Sequence, residues 1–191
     1  MRIQRYLAIV SLMAVCVSGT ASAQDKGKVG LTMGYPGAIG IQWHVSDKVA
    51  IRPEFSFTGS SSELESGSFG SEGDSWTFGT NISALFYLTT DDKLRTYFAP
   101  RFTWSHGSSE SELTGPLPTP IIVETESKSS GDAYGFGGSF GAQYGLGDRF
   151  LVFGELGFNY GHATSENNRS TTKTTTNAWG TRTAVGIVFF P

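Results

Sequence analysis

A single cysteine, Cys16, serves the whole chain of 191 residues. It lies inside the apolar run "YLAIVSLMAVCV", and Val15 before it is bulkier than the small residue expected ahead of a lipid-bearing cysteine. Beyond that run there is no thiol, so neither disulfides nor thiol chemistry can be invoked. Long apolar runs are just as scarce. No later segment approaches the ~18 continuous apolar residues that mark a spanning helix, which excludes a helical membrane protein. Histidine is represented by His44, His106 and His162 alone, and their spacing is not that of metal ligands. No glycine motif follows a strand and opens a helix, so dinucleotide and phosphate-loop binding find no footing. No cofactor and no metal are expected.

Positive charge is in short supply as well. The chain has 14 Lys and Arg against 17 Asp and Glu, a net charge of −3. Arg2 and Arg5 precede the apolar run, which ends in small residues at Ala21-Ser22-Ala23. A positive n-region, a short apolar h-region and an A-x-A site are the marks of a secretory signal peptide. Cleavage before Gln24 is expected, giving a signal peptide over 1–23 and one domain over 24–191. Removing the two arginines leaves 14 − 2 = 12 basic residues against 17 acidic ones, a net charge of −5. That balance argues against nucleic acid as a partner.

What is present in quantity is glycine, at 25 residues, and aromatics, at 13%. They fall in alternating segments. In "VAIRPEFSFTG", Val49, Ile51, Pro53, Phe55 and Phe57 share one face, while Arg52 and Glu54 share the other. Period-2 alternation marks a strand with unlike surroundings on its two sides. Seven further segments repeat it: "KVGLTMGY", "AIGIQWHV", "WTFGTNISALFYL", "LRTYFAPRFTWS", "YGFGGSFGAQYGL", "FLVFGELGFNYG" and "WGTRTAVGIVFF". These make eight strands, each read as long enough to cross a bilayer when tilted, at about 9–11 residues, with the first the shortest. Connections alternate in length: Ser46–Lys48, Thr89–Lys93 and Gly147–Arg149 are short, while Gly59–Ser75, Gly107–Gly131 and His162–Thr176 are long. Tyr35–Ala38 is also tight. An up-and-down meander with short turns at one end and long loops at the other is the expectation.

Size decides which face is outside. An eight-stranded barrel has an interior just wide enough to be filled by side chains. The apolar set holds almost every Trp and Phe and could not fit there; the opposite set of Gly, Ala, Ser, Thr, Asn and Gln could. A soluble carrier barrel would need the reverse arrangement. Trp76, Trp104, Tyr134, Tyr160 and Trp179 lie near the long-loop ends of their strands, and Trp43, Phe86, Tyr144, Phe150 and Phe189 near the short-turn ends. Two aromatic belts are what two membrane interfaces select. The fold class is therefore all-β, an eight-stranded antiparallel up-and-down transmembrane β-barrel. Pro53 and Pro100 fall mid-strand, where local bulges or strand irregularity are expected.

On these features the chain resembles the small eight-stranded outer-membrane barrels of the OmpA/OmpX/Opa type, a porin-like group. The "ASA" site, the alternating segments and the terminal strand "RTAVGIVFFP" carry the resemblance, although Pro191 follows the terminal Phe190. It implies a bacterial outer-membrane location and partners in outer-membrane lipid, lipopolysaccharide and the barrel-assembly machinery. It also implies a monomer.

Inward charges are expected at Arg52, Glu54, Arg95, Arg101, Glu155 and Arg182, joined in an interior ion network, since buried charges survive only when paired. Tyr97, Gln143 and Asn159 should fill in around them. Such a network either plugs the barrel or lines a narrow passive channel whose arginines favour anions. A third reading is a lipid A-modifying enzyme. Its candidate group is "GHATSE", with His162, Ser165 and Glu166, but a catalytic Ser–His pair needs mutual hydrogen-bond reach. No catalytic residue is assigned. The acidic and Ser/Thr-rich loops suit a non-enzymatic, envelope-structural role or contact with a surface ligand, because loops on rigid scaffolds often carry function.

Overall fold

The computed structural model describes residues 26–66, 69–89, 93–116, 122–168 and 173–191. The expected signal segment lies outside them. Eight strands follow in order: β1 (Val29–Tyr35), β2 (Ala38–Ser46), β3 (Val49–Ser66), β4 (Phe69–Tyr87), β5 (Leu94–Pro116), β6 (Ile122–Gly145), β7 (Phe150–Asn167) and β8 (Lys173–Phe189). Each pairs antiparallel with the next, and β8 closes on β1 from Leu31↔Phe189 to Tyr35↔Val185. Closure gives every strand two neighbours through the wall, the condition under which a sheet can stand in lipid without open backbone.

The two faces are sorted as their alternation dictates. Leu31, Ile39, Phe55, Ile82, Phe102, Phe136, Phe140, Leu156 and Phe158 all stand exposed on the outer wall. Thr32, Gln42, Arg52, Glu54, Ser83, Arg101, Gln143 and Glu155 are buried inside it. A surface of this kind is inverted relative to a soluble domain, whose charges are almost never buried while its aromatics are. It is a transmembrane β-barrel. The outer wall is knitted by ring contacts between neighbouring strands, with Phe98 and Phe140 centred 5.2 Å apart and Phe102 and Phe136 5.1 Å apart. Such pairs add about 0.5–1.5 kcal/mol each beyond area burial.

Two expectations need correction and one takes a definite form. The connections Gly59–Ser75, Gly107–Gly131 and His162–Thr176 are not long loops. Strand pairing continues through them, to Ser66↔Phe69, Pro116↔Ile122 and Glu166↔Lys173. Serine and threonine at alternate positions pair across strands as readily as they make turns, and this cross-strand bonding keeps the hairpins extended; Ser60 Oγ and Ser75 Oγ lie 2.8 Å apart. At Pro53 and Pro100 the irregularity expected is present as an interrupted ladder, not as a bulge. Pro53 pairs in register with Ile82 on β4, and Pro100 with Gly138 on β6. Each proline turns its missing N–H toward the other neighbour, where the ladder is interrupted and the register resumes unchanged. The register shift in β2–β3 falls instead between His44 and Ser46. Finally, the inner face is less uniformly polar than expected: Leu85, Phe153 and Val188 are buried there.

Strand lengths make the rim uneven. The β1–β2 hairpin turns at Pro36–Gly37, while its neighbours continue upward. Pairing of β2 with β3 stops at Ala38↔Ser56, and pairing of β1 with β8 stops at Tyr35↔Val185. Above those points β3 and β8 each have one neighbour. Residues 57–65 and 173–181 are accordingly exposed on both faces. The wall is high around β4–β7 and notched above β1–β2.

Candidate functional site in the lumen and at the rim

Alternation from β3, β5 and β7 delivers four charges to one level of the lumen. Glu155 on β7 is the hub. It is paired with Arg52 Nη2, and its other oxygen accepts from Arg101 Nη2 at 3.1 Å and Ser139 Oγ at 3.3 Å. Tyr97 Oη donates to Glu155 Oε1 at 2.9 Å, and Arg101 Nε donates to Ser83 Oγ at 2.8 Å. Glu54 lies 3.7 Å from Arg52 Nε and 3.6 Å from Arg101 Nη2. Arg52 is fully enclosed, with its guanidinium 4.7 Å from the centre of the Phe153 ring. Two arginines and two glutamates make a neutral quartet.

Toward the short-turn end a second, uncharged network closes on itself. Gln42 Nε2 donates to Tyr87 Oη at 3.1 Å, Tyr87 Oη donates to Gln143 Oε1 at 2.8 Å, and Gln143 Nε2 returns to Gln42 Oε1 at 2.9 Å. His44 lies 3.1 Å from Gln42 Nε2 and stacks on Tyr87 at 5.5 Å. The Tyr97 ring finds room because its partner across the pair is Gly141, where a Cβ would collide with it. Quartet and ring together bridge the lower lumen, the first between β3, β5 and β7 and the second between β2, β4 and β6.

The six charges expected inside are not all brought together. Arg52, Glu54, Arg101 and Glu155 form the quartet. Arg182, on β8, stands beside Arg101 as a like charge, and its Nε has no hydrogen-bond partner among the described residues. Arg95 sits half-buried near the short-turn end of β5, across from Gln143. Tyr97 and Gln143 are network members, but Asn159 is exposed higher up. Gln42 and Tyr87 hold the lower ring together without having been singled out; both stand on the polar side of the alternation, which was the available signal.

The aromatic belt residues all reach the outer wall. Trp43, Phe86, Tyr144 and Phe150 are exposed near the short-turn end, with Phe189 beside Phe150 at 4.9 Å between ring centres. Trp76, Trp104, Tyr134 and Trp179 are exposed at the other end, and Tyr160 packs on Trp179 at 4.8 Å. On β5 the stretch from Leu94 to Trp104 matches the about 9–11 residues of a tilted crossing.

His162 and Ser165 are separated by an odd number of positions and so face opposite sides of β7. His162 pairs with Asn177 Oδ1 at 2.7 Å, Ser165 lines the inner wall, and Glu166 lies 3.4 Å from Lys173. They assemble no nucleophile–base pair. Among the described residues no group of acidic, His and Cys side chains has metal-site geometry.

Above the aromatic belt the outer wall becomes acidic. Glu63, Glu72, Glu112 and Glu126 are successive cross-strand partners from β3 to β6, a row of four like charges. In the adjoining row Asp74 pairs with Glu110 and Glu110 with Lys128. Lys128 Nζ donates to Glu110 at 2.8 Å and to Glu126 at 2.6 Å, and these bonds hold its ammonium above the usual lysine range.

No family model and no curated protein matches the chain. Solved structures do. Acinetobacter baumannii CarO is similar at 13% identity over 87% of this chain and 98% of its own, with a TM-score of 0.45. A major outer membrane protein from Thermus thermophilus is similar at 14% identity, over 85% and 98%, with a TM-score of 0.45. The attachment invasion locus protein Ail of Yersinia pestis is similar at 13% identity, over 86% and 98%, with a TM-score of 0.42. The eight-stranded closure itself rests on the strand register of this chain.

Proposed function

We propose that this chain is an integral outer-membrane β-barrel, non-enzymatic, whose lumen is closed and whose role is played at the cell surface by the raised, acidic wall. The observation that carries the reading is the neutral quartet of Arg52, Arg101, Glu54 and Glu155, with the Gln42–Tyr87–Gln143 ring beneath it. A lumen of this width leaves little beyond its own side chains, and a charged plug bonded on three strands opposes passage. The row of Glu63, Glu72, Glu112 and Glu126 supports a surface role, since strand hairpins hold it in place where a mobile loop would not. The expected setting is a monomer among outer-membrane lipid and lipopolysaccharide, exported by its signal peptide and inserted by the barrel-assembly machinery.

Planar-bilayer recording on the refolded mature chain is the test. Absence of unitary conductance in the wild type, with channels appearing in Glu155→Ala, is the expected result. Discrete wild-type conductance would replace this reading with that of a small passive channel.

A further inference from the structure

The lumen above the quartet is built differently from the lumen below it. Inward positions of β4 run Gly79, Thr77, Ser75; those of β5 run Thr103, Ser105, Gly107; those of β6 run Gly135, Ala133, Gly131. None carries a charge or a ring. The concave side of β4–β7 encloses an open cavity of about 290 Å³, lined by hydroxyls that include Ser75, Thr77, Ser105 and Ser165. Lower on the same inner face, below the residues that line this cavity, stands a charge the quartet does not balance. With Arg182 counted, the sum is three guanidiniums against two carboxylates, or +1. Glu155 is fully engaged, accepting from Arg52, Tyr97, Arg101 and Ser139, while Glu54 lies between Arg52 and Arg101 at ion-pair distance with its Oε2 unbonded among the described residues. Nη1 of Arg101, a side chain 4% exposed, and Nε of Arg182 have no hydrogen-bond partner among the described residues.

Uncompensated charge in a narrow, partly dry lumen is costly, and an anion is the compensation such a site selects. Guanidiniums suit oxyanions because their planar N–H forks match two oxygens at once. We infer that the upper lumen is a binding vestibule for a small oxyanion of the phosphate, sulfate or carboxylate class, held at its floor by Arg182 and Arg101. The Asn159 amide, which borders Gly180 next to Arg182, completes the shell, and the hydroxyls of the wall above line the way in. The phosphate has two possible sources. It enters free from above, or it belongs to a lipid headgroup reaching sideways through the notch above β1–β2, where β8 has no neighbour on its β1 side. The site lies above the plug and does not depend on the lumen being closed, so conductance and anion binding fail separately.

The experiment uses the mature chain labelled at arginine nitrogen. Nε–H resonances of Arg182 and Arg101 are followed while sodium phosphate is added in neutral-detergent micelles, against sodium chloride at equal ionic strength. A parallel sample in nanodiscs with and without lipid A, free of added phosphate, gives the second arm. A saturable shift specific to phosphate, or to lipid A, is expected and identifies the source. Arg182→Gln should weaken the affinity about tenfold, as loss of a charge-assisted pair does, while Lys173→Gln at the rim leaves it unchanged. Should Arg182→Gln fail to fold, judged by heat-modifiable gel mobility, Asn159→Asp brings a repelling carboxylate to an exposed position and should weaken phosphate in the same way. No saturable shift in either arm, or equal affinity in a folded Arg182→Gln, or in Asn159→Asp where Arg182→Gln does not fold, overturns the site.

Discussion

The lower and upper halves of this barrel have the same strands and the same alternation, yet they are filled in opposite ways. Below, inward positions hold Arg52, Tyr97, Tyr87, Gln42 and Gln143, side chains large enough to meet across the lumen. Above, they are mainly glycine, serine, threonine and alanine, which cannot meet. Stability in the lower half therefore comes from the contents as well as the wall, whereas the upper half stands on the wall, through backbone pairing and cross-strand contacts such as Ser60 with Ser75. A closed sheet tolerates both arrangements, because its ladder is complete whatever the inner side chains are.

The largest expected effect comes from removing the hub of the filled half. Glu155→Gln would leave Arg52, wholly buried, with Glu54 at 3.7 Å as its one remaining carboxylate among the described residues. Breaking one side of a buried ion pair costs about 3–5 kcal/mol, mainly through the charge left behind. Urea unfolding of the refolded barrel, read by tryptophan fluorescence, should show that loss. Ser105→Ala in the upper half should leave the midpoint where it was. Equal effects at the two sites would erase the distinction between the halves.

Next in size is the outer wall. Phe136 faces outward beside Phe102 in the middle of the crossing, and a charge there must be desolvated. Phe136→Arg should cost about 2–4 kcal/mol, the range for arginine at the midplane of a barrel wall. Thr175→Arg is the control above the membrane, on the outer face of β8 beyond Trp179, where the side chain is exposed and the wall is wet. Little change is expected there. A lipid-vesicle unfolding titration measures both.

The third pair of variants separates the halves through glycine. A Cβ on Gly157 would meet the backbone of Gly138 and Ser139, which cannot step aside. A Cβ on Gly161, higher on the same face of β7, meets nothing. Gly157→Ala should destabilise by about 1–3 kcal/mol, the cost of overpacking. Gly161→Ala should be neutral or stabilise by about 0.4–1 kcal/mol, through the unfolded chain's lost freedom.

How far these contrasts were legible beforehand follows from what alternation encodes. It assigns faces, so the placement of Phe55, Phe57, Arg52 and Glu54 could be read residue by residue. Volume then decided the outside, since rings could not fit within eight strands. Alternation is silent about height. It put Arg95, Arg101 and Arg182 on the inner face without showing that only Arg101 reaches the quartet, because stagger between strands sets the level of each. Nor could it end a strand where serine and glycine suit turn and ladder equally. That is why the β3–β4, β5–β6 and β7–β8 hairpins read as loops although their pairing continues. At the prolines an irregularity could be foreseen but not its form, for a related reason: a missing N–H matters only on the side it faces, and the sequence does not tell which side that is.

The smallest effect tests the raised wall, and it runs in the stabilising direction. Glu72 stands between Glu63 and Glu112 on neighbouring strands, with strand spacing near 4.8 Å and no cation opposite it. Like charges directly across a pair repel, and opposite charges gain about 0.2–1 kcal/mol per pair. Glu72→Lys should therefore raise the unfolding midpoint, and by less in high salt, since exposed charges are screened within a Debye length of about 8–10 Å. A midpoint that falls, or a gain that salt leaves untouched, would mean the glutamates do not interact along the row. A gain that salt abolishes would mean the chain carries this repulsion in its folded state, as expected of a surface kept acidic for contact and not for stability.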